Sequence, residues 1–324
     1  MNIEKFTPLH PLNTAVLFLV FNRLDTTKQV FEAIREAKPP RLYIAADGAR
    51  ESKEGEDKKV KEVREYIVSN IDWKCEVKTL FREQNYGCKT AISGAIDWFF
   101  ENEEMGIIIE DDCLPSQSFF WFCETLLNRY KDDIRISMVA GTSYLFNEIL
   151  SKEDYFFSKY ISIWGWATWK RAWSKYDVEM SDWSEIMKNK LHNEMLYLDK
   201  PTKECFLEHF EKSFNKEYDV WGYQWVYRCL VENGYCITPY KNLISNLGIE
   251  GRSGDSTNSP FINMKNLEVN IGSSIPKFQH SYEVDKILFY NVFNRFEKYT
   301  FIKKVLKKLN LLNFAKKIRG KFYD

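Results

Sequence analysis

Three consecutive carboxylates, Glu110-Asp111-Asp112, come directly after the apolar run Ile107-Ile108-Ile109. A short apolar run of this kind reads as a strand, and acids placed directly beyond it stand where a parallel sheet opens to ligands. Burial in a core cannot account for three carboxylates. Their oxygens suit a hard divalent cation, Mg²⁺ or Mn²⁺, which needs few protein ligands when a diphosphate supplies the rest. Such a cation also neutralises the charge that builds on a diphosphate leaving group. The competing explanation is structural: Pro115 and Ser116 open the next helix, and acids are favoured near a helix N-terminus. Placement alone leaves both open.

Asn22-Arg23 and Asp47-Gly48 also lie just after apolar runs. An Asp there can accept hydrogen bonds from a base or ribose and an Arg can meet phosphate. Equally, Asp47 can form an Asx turn with Gly48, and Arg23 can be a surface charge. The chain has no G-x-x-x-x-G-K-[ST], and no G-x-G-x-x-G comes after the first strand. A nucleotide would therefore be held by carboxylates and metal, which disfavours kinases, GTPases and classical dehydrogenases.

The elements that must position these residues alternate. Strands are expected at Thr14 to Phe21, Arg41 to Ala46, Cys75 to Phe81 and Gly106 to Ile109. Helices are expected at Thr26 to Ala37, from the charged loop Glu51 to Asp57 up to Asn70, and at Gly87 to Phe100. This rhythm predicts an α/β fold with a mostly parallel sheet flanked by helices and ligands outside the carboxyl ends of the strands. Farther on, Ile136 to Gly141 and Tyr235 to Thr238 read as strands, and Lys203 to Phe214 and Tyr223 to Asn233 as helices. Gly248 to Ser259 reads as a Gly/Ser/Asp loop. No internal repeat or low-complexity linker interrupts the chain.

The acidic string Ile107 to Phe120 (IIIEDDCLPSQSFF), the opening Val16 to Arg23 (VLFLVFNR), the Ala46-Asp47-Gly48 turn, Trp164 to Trp169 (WGWATW) and Asn246 to Ser253 (NLGIEGRS) resemble GT-A-fold glycosyltransferases. The likeness is to the N-acetylglucosaminyltransferase I type and its bacterial relatives, ordered along about residues 14 to 259. It implies a Rossmann-like GT-A domain over 1–280, with a nucleotide-sugar half at about 14–142, an acceptor half at 143–280, and a tail at 281–324. It also implies a metal-dependent, inverting hexosyl- or N-acetylhexosaminyltransferase that uses a nucleotide sugar, UDP-linked by preference, to build a cell-surface glycan. Glu110 and Asp111 would face the sugar and ribose, and Asp112 would hold Mn²⁺ or Mg²⁺. Arg23 and Asp47 would contact the nucleotide, and Ser253 would approach the diphosphate. The family's base lies in an acidic pair just before a Trp. This chain departs there, because Tyr223-Gln224 precede Trp225. Asp219 is the nearest upstream carboxylate, with Glu217, Glu250 and Asp255 behind it as candidates. Glu217 and Asp219 can equally cap or solvate the neighbouring helix. A sugar-binding scaffold of the same fold and a sugar nucleotidyltransferase are the alternative functions.

Composition agrees with a ligand-binding α/β chain. The 324 residues carry 46 Lys+Arg against 46 Asp+Glu and 44% hydrophobic residues, which supports a core and gives no reason to expect nucleic acid. Aromatics reach 16%, and seven of the ten Trp fall between Trp164 and Trp225, in the expected acceptor half. Indole faces can stack on sugars or fill a core. Trp166, preceded by Gly165, is expected near the donor sugar. Seven Cys without a C-x-x-C pair read as a reducing, cytoplasmic setting, and four His without paired spacing argue against a His/Cys zinc centre. No apolar run is long enough to span a bilayer. From Thr300 to Asp324, eight Lys/Arg face one Asp, so this segment is about +7 and the remainder about −7. Ile302, Val305, Leu306, Leu309 and Leu312 fall on one helical face. A basic amphipathic helix suits peripheral contact with the inner face of a membrane carrying a lipid-linked acceptor, and a helix packed on the domain is the alternative.

Overall fold

The computed structural model describes residues 6–146, 151, 153–195, 198–249, 261, 264–269 and 276–294. The expected tail helix, the greater part of the Gly248 to Ser259 loop, Ser253, Glu250 and Asp255 lie outside the described residues.

The first half runs β1 (Val16–Val20), α1 (Leu24–Ala37), β2 (Arg41–Ala46), α2 (Glu56–Ser69), β3 (Glu76–Phe81), α3 (Gly87–Asn102) and β4 (Met105–Glu110). The chain continues through β5 (Cys113–Pro115), α4 (Gln117–Arg129), β6 (Ile136–Ala140), β7 (Tyr155–Ser158), β8 (Trp166–Trp169) and α5 (Lys170–Trp173). Then come α6 (Lys188–Glu194), α7 (Lys200–Phe214), α8 (Gly222–Val231), β9 (Tyr235–Pro239), β10 (Ile244–Asn246) and α9 (Tyr282–Phe289). A π-helical turn at Trp183–Met187 leads into α6.

Eight strands form one sheet in the order β3-β2-β1-β4-β8-β6-β9-β7. The first four are mutually parallel, as the alternating pattern predicts. Beyond them the sheet is mixed: β8 returns antiparallel between β4 and β6, and β7 closes the edge antiparallel to β9. The expected α/β architecture of a GT-A-like, Rossmann-like sheet flanked by helices is the one found. A two-stranded ribbon, β5 with β10, stands beside it.

Why the central strands are uniformly apolar is visible in their neighbours. Val16, Phe18 and Val20 face a core shared with Val30, Phe31 and Ile34 of α1, Val63 of α2, and Phe119, Phe122 and Leu126 of α4. Their alternates Leu17 and Leu19 face Ile96 and Phe99 of α3 and Trp173, Trp221 and Trp225 on the opposite side. A parallel strand covered on both faces has no polar side, so periodicity of two is invisible in β1. Each such buried side chain contributes about 1.5–3 kcal/mol relative to exposure. The third core joins Trp183, Phe206, Phe210, Tyr227 and Leu288 beneath the outer helices.

Candidate active site

The carboxyl ends of β1, β2 and β4 lie side by side, because Val20 registers with Ala46 and Leu19 with Glu110. The residues just past each of these strands therefore converge. A cleft of about 290 Å³ opens there, and its lining includes Arg23, Asp47, Glu110, Asp111 and Asp219, with Arg50 and Arg82 among the basic groups. The sequence places these five expected residues at four distant positions along the chain; the sheet register and the approach of the 217–221 segment bring them to one wall.

Arg23 precedes the first residue of α1 and reaches across to the β4 side. Its Nη1 donates to Asp112 Oδ2 at 2.8 Å, and its Nη2 donates to Asp111 Oδ1. Both carboxylates are buried, Asp111 at 3% and Asp112 at 2% exposure, so the expectation that burial could not account for the acidic triplet fails for two of its three members, which Arg23 pairs. Burial works against the Arg23 charge, but Asp111 and Asp112 more than offset it and hold the guanidinium above its ordinary value. Asp111 is pushed up to about 6 by burial, with Arg23 pulling it back and Asp112 pushing it further. Glu110, the last residue of β4, is half-buried and lines the cleft itself.

Asp47 and Asp219 grip the start of α3 from two sides. Asp47 accepts from the Tyr86 N–H at 2.9 Å and the Gly87 N–H at 3.1 Å. Asp219 accepts from the Cys88 and Lys89 N–H groups, each at 2.9 Å. These are donors that a helix N-terminus leaves without intrahelical partners, and the positive end of the dipole favours the anions. Burial raises the Asp47 carboxyl, and the N–H donors of Tyr86, Gly48 and Gly87 work against it. Gly87 has φ +79°, and a Cβ there would stand 2.7 Å from Asp219 Oδ2, so glycine is what permits this approach.

Trp166 departs from its expected place. It is fully buried on β8, with its ring stacked on Trp221 at 5.7 Å and packed against Trp173 and Trp225. No face is left for a sugar, so the indole is core. The close approach that Gly165 permits is made by Ile244 of β10, whose Cδ1 would lie 2.4 Å from a Cβ at that position. Ser116, expected to open the next helix, lies immediately before α4, yet Glu268 takes the Gln117 and Ser118 N–H groups at 3.0 and 2.7 Å.

Sequence reasoning missed Arg82 and Arg50. Arg82 comes directly after β3, so the rule that singled out Arg23 and Asp47 would have found it; its Nη1 donates to the Ala91 carbonyl at 2.9 Å. Arg50 is fixed by Glu56, whose carboxyl it holds down at about 2. Nothing local in the sequence marks that pair.

Among the described residues no three His, Cys, Asp or Glu side chains gather as a ready metal cage. The donor chemistry nevertheless fits a Mg²⁺ or Mn²⁺ ion shared with a diphosphate, which ordinarily takes only one or two protein carboxylates. Asp111 and Asp112 oppose one guanidinium with two carboxylates, and Glu110 lines the cleft with Asp111. By the resemblance, Asp112 is the residue that would hold the ion.

No protein-family model matches the chain, and no curated protein matches it. Solved structures similar to it include HddC from Yersinia pseudotuberculosis, 10% identical with a TM-score of 0.31 over 49% of this chain and 77% of HddC. TarS of S. aureus is 11% identical with a TM-score of 0.34 over 52% of this chain. The glycosyltransferase GlyE of Streptococcus pneumoniae is 10% identical with a TM-score of 0.34 over 70% of this chain. The matched regions span only 30% of TarS and 45% of GlyE.

Proposed function

We propose that this chain is an inverting glycosyltransferase that takes a nucleotide sugar, UDP-linked by preference, and transfers the sugar to a glycan or lipid-linked acceptor in cell-surface polysaccharide synthesis. The observation that carries the reading is the convergence of Arg23, Asp47, Glu110, Asp111 and Asp219 on one cleft at the carboxyl ends of parallel strands. The sequence resemblance assigns donor contacts to the first four; Asp219 is the candidate base as the nearest carboxylate upstream of Trp225, where the chain departs from the family's acidic pair.

In this reading Asp47 accepts from the base or ribose, and Glu110 and Asp111 accept from hydroxyls of the ribose and sugar. Asp219 takes the acceptor hydroxyl proton on a carboxylate oxygen as the acceptor oxygen attacks the anomeric carbon opposite the nucleoside diphosphate. Asp112 would hold a Mn²⁺ or Mg²⁺ ion, which would supply charge neutralisation for the departing diphosphate. Ser253 belongs to the same proposal as a diphosphate contact, and the 300–324 segment as contact with the cytoplasmic membrane face.

The test is a panel of nucleotide sugars with simple glycoside acceptors and Mn²⁺ or Mg²⁺, with product mass as the readout. Transfer from at least one donor is expected, and Asp219→Asn lowers kcat by about 10²–10⁴-fold while leaving donor binding near wild type. Donor binding with no turnover under any condition would favour a sugar-binding scaffold. The engagement of Asp219 with the Cys88 and Lys89 N–H groups is the observation on that side.

A further inference from the structure

Arg23 has two roles to fill and one guanidinium to fill them with. The resemblance gives it to the nucleotide, while in this structure both terminal nitrogens are spent on Asp111 and Asp112. Asp112 Oδ2 lies under two covers: Arg23 Nη1 at 2.8 Å and the backbone at Gly248, where an added Cβ would stand 2.1 Å from that oxygen and 3.0 Å from Nη1. A divalent cation approaching Asp112 meets a like charge already seated on the same oxygen. The Arg23 side chain is itself about one-third exposed and lines the 290 Å³ cleft, so it has open space on its other side.

We infer that Arg23 is an internal counter-ion that exchanges with the divalent cation: it pairs with Asp111 and Asp112 at the edge of the cleft and gives up Asp112 when a nucleoside diphosphate offers it an anion. This rests on the nucleotide-sugar reading above for the identity of that anion. Its consequence is that metal and nucleotide bind cooperatively. The cation alone competes with Arg23 and binds weakly; the diphosphate draws Arg23 away and supplies further oxygens to the cation. The coupling is reciprocal by linkage, so Mn²⁺ strengthens nucleotide binding by the same factor.

The experiment is a calorimetric titration of the full-length protein with Mn²⁺ alone, then with Mn²⁺ in the presence of UDP, for wild type and Arg23→Met. Removal of the guanidinium is expected to tighten binding of Mn²⁺ alone by about tenfold or more, and to shrink the enhancement that UDP gives wild type. Asp112→Asn in the Arg23→Met background abolishes the gain. Far-ultraviolet circular dichroism and a thermal melt establish that each variant is folded. If Arg23→Met does not fold, Arg23→Lys carries the test: it keeps one charge without the two-pronged contact, and roughly threefold tighter Mn²⁺ binding is expected. Unchanged or weaker Mn²⁺ binding in the folded variant overturns the inference. The Mn²⁺-alone titration contains no sugar donor, so a negative donor panel and an unchanged Mn²⁺ affinity are separate failures.

Discussion

Asp111 shows how one residue can be both structural and chemical. It accepts from the Phe21 N–H at 3.3 Å, pairs with Arg23, and has almost no contact with water. Burial is the largest influence on it, and it raises the carboxyl from 3.8 to about 6. A raised carboxyl binds its proton more tightly in the folded than in the unfolded protein. Its contribution to stability is therefore fully present below about pH 4 and is lost as pH rises through about 6. Replacing it with the uncharged Asp111→Asn removes that dependence. The stability of Asp111→Asn relative to wild type is thus expected to rise by roughly 1–3 kcal/mol between pH 4 and pH 7. Urea unfolding at several pH values checks this, and a flat or falling difference would show that Arg23 fully offsets the burial of the charge. Arg23→Met removes that offset, so the same experiment in its background gives a steeper rise.

At the scale of elements, the first half of the chain was legible because its signals are long and repeated. Arg41 to Ala46 is a strand with the expected limits, and the α1 and α3 helices run within a turn of theirs. Burial on both faces makes the strands apolar runs, and amphipathic helices alternate with them. The second half of the chain was harder because β7, β8 and β10 have only three or four residues each, too few for a period. Nor does the sequence say that β8 inserts antiparallel in the sheet interior, which is why Trp166 reads as a ligand face and folds as core. Asp219 was legible only as the nearest carboxylate to a Trp; that it reaches α3 across 131 residues is a property of the fold. A second long-range contact of this kind fastens α9. Asp285 is fully buried and accepts from Ser158 Oγ and from the Lys159 N–H at 3.0 Å, with His280 Nε2 on its second oxygen. Asp285→Ala leaves these groups without their acceptor and is expected to lower stability by roughly 2–3 kcal/mol, read as a shift in the urea midpoint. Loss of α9 docking alone would appear instead as faster local hydrogen exchange at β7 with the global midpoint unchanged.

For the whole molecule, the balance of 46 basic and 46 acidic residues conceals a division. Residues 300–324 carry about +7, which leaves about −7 for the rest, the part that holds the acidic cleft. A body of net negative charge is repelled overall by an anionic bilayer, so the basic segment is where attraction is expected. No helix among the described residues is long and apolar enough to cross a membrane. Each Lys or Arg held near an anionic surface contributes about 1 kcal/mol, within roughly a Debye length of about 8–10 Å. Eight such residues interleaved with Ile302, Val305, Leu306, Leu309 and Leu312 combine charge with apolar area that can enter the headgroup region. The full chain is therefore expected to sediment with vesicles containing phosphatidylglycerol and to stay in the supernatant with pure phosphatidylcholine. Deleting residues 300–324 should abolish sedimentation, and high salt should weaken it without removing it entirely, because the apolar face is not screened. Replacing Leu306 and Leu309 with Ser separates the two contributions: binding that survives at low salt but disappears at high salt assigns the residual attachment to the apolar face. Equal binding to neutral and anionic vesicles would remove the charge division as the cause of the interaction.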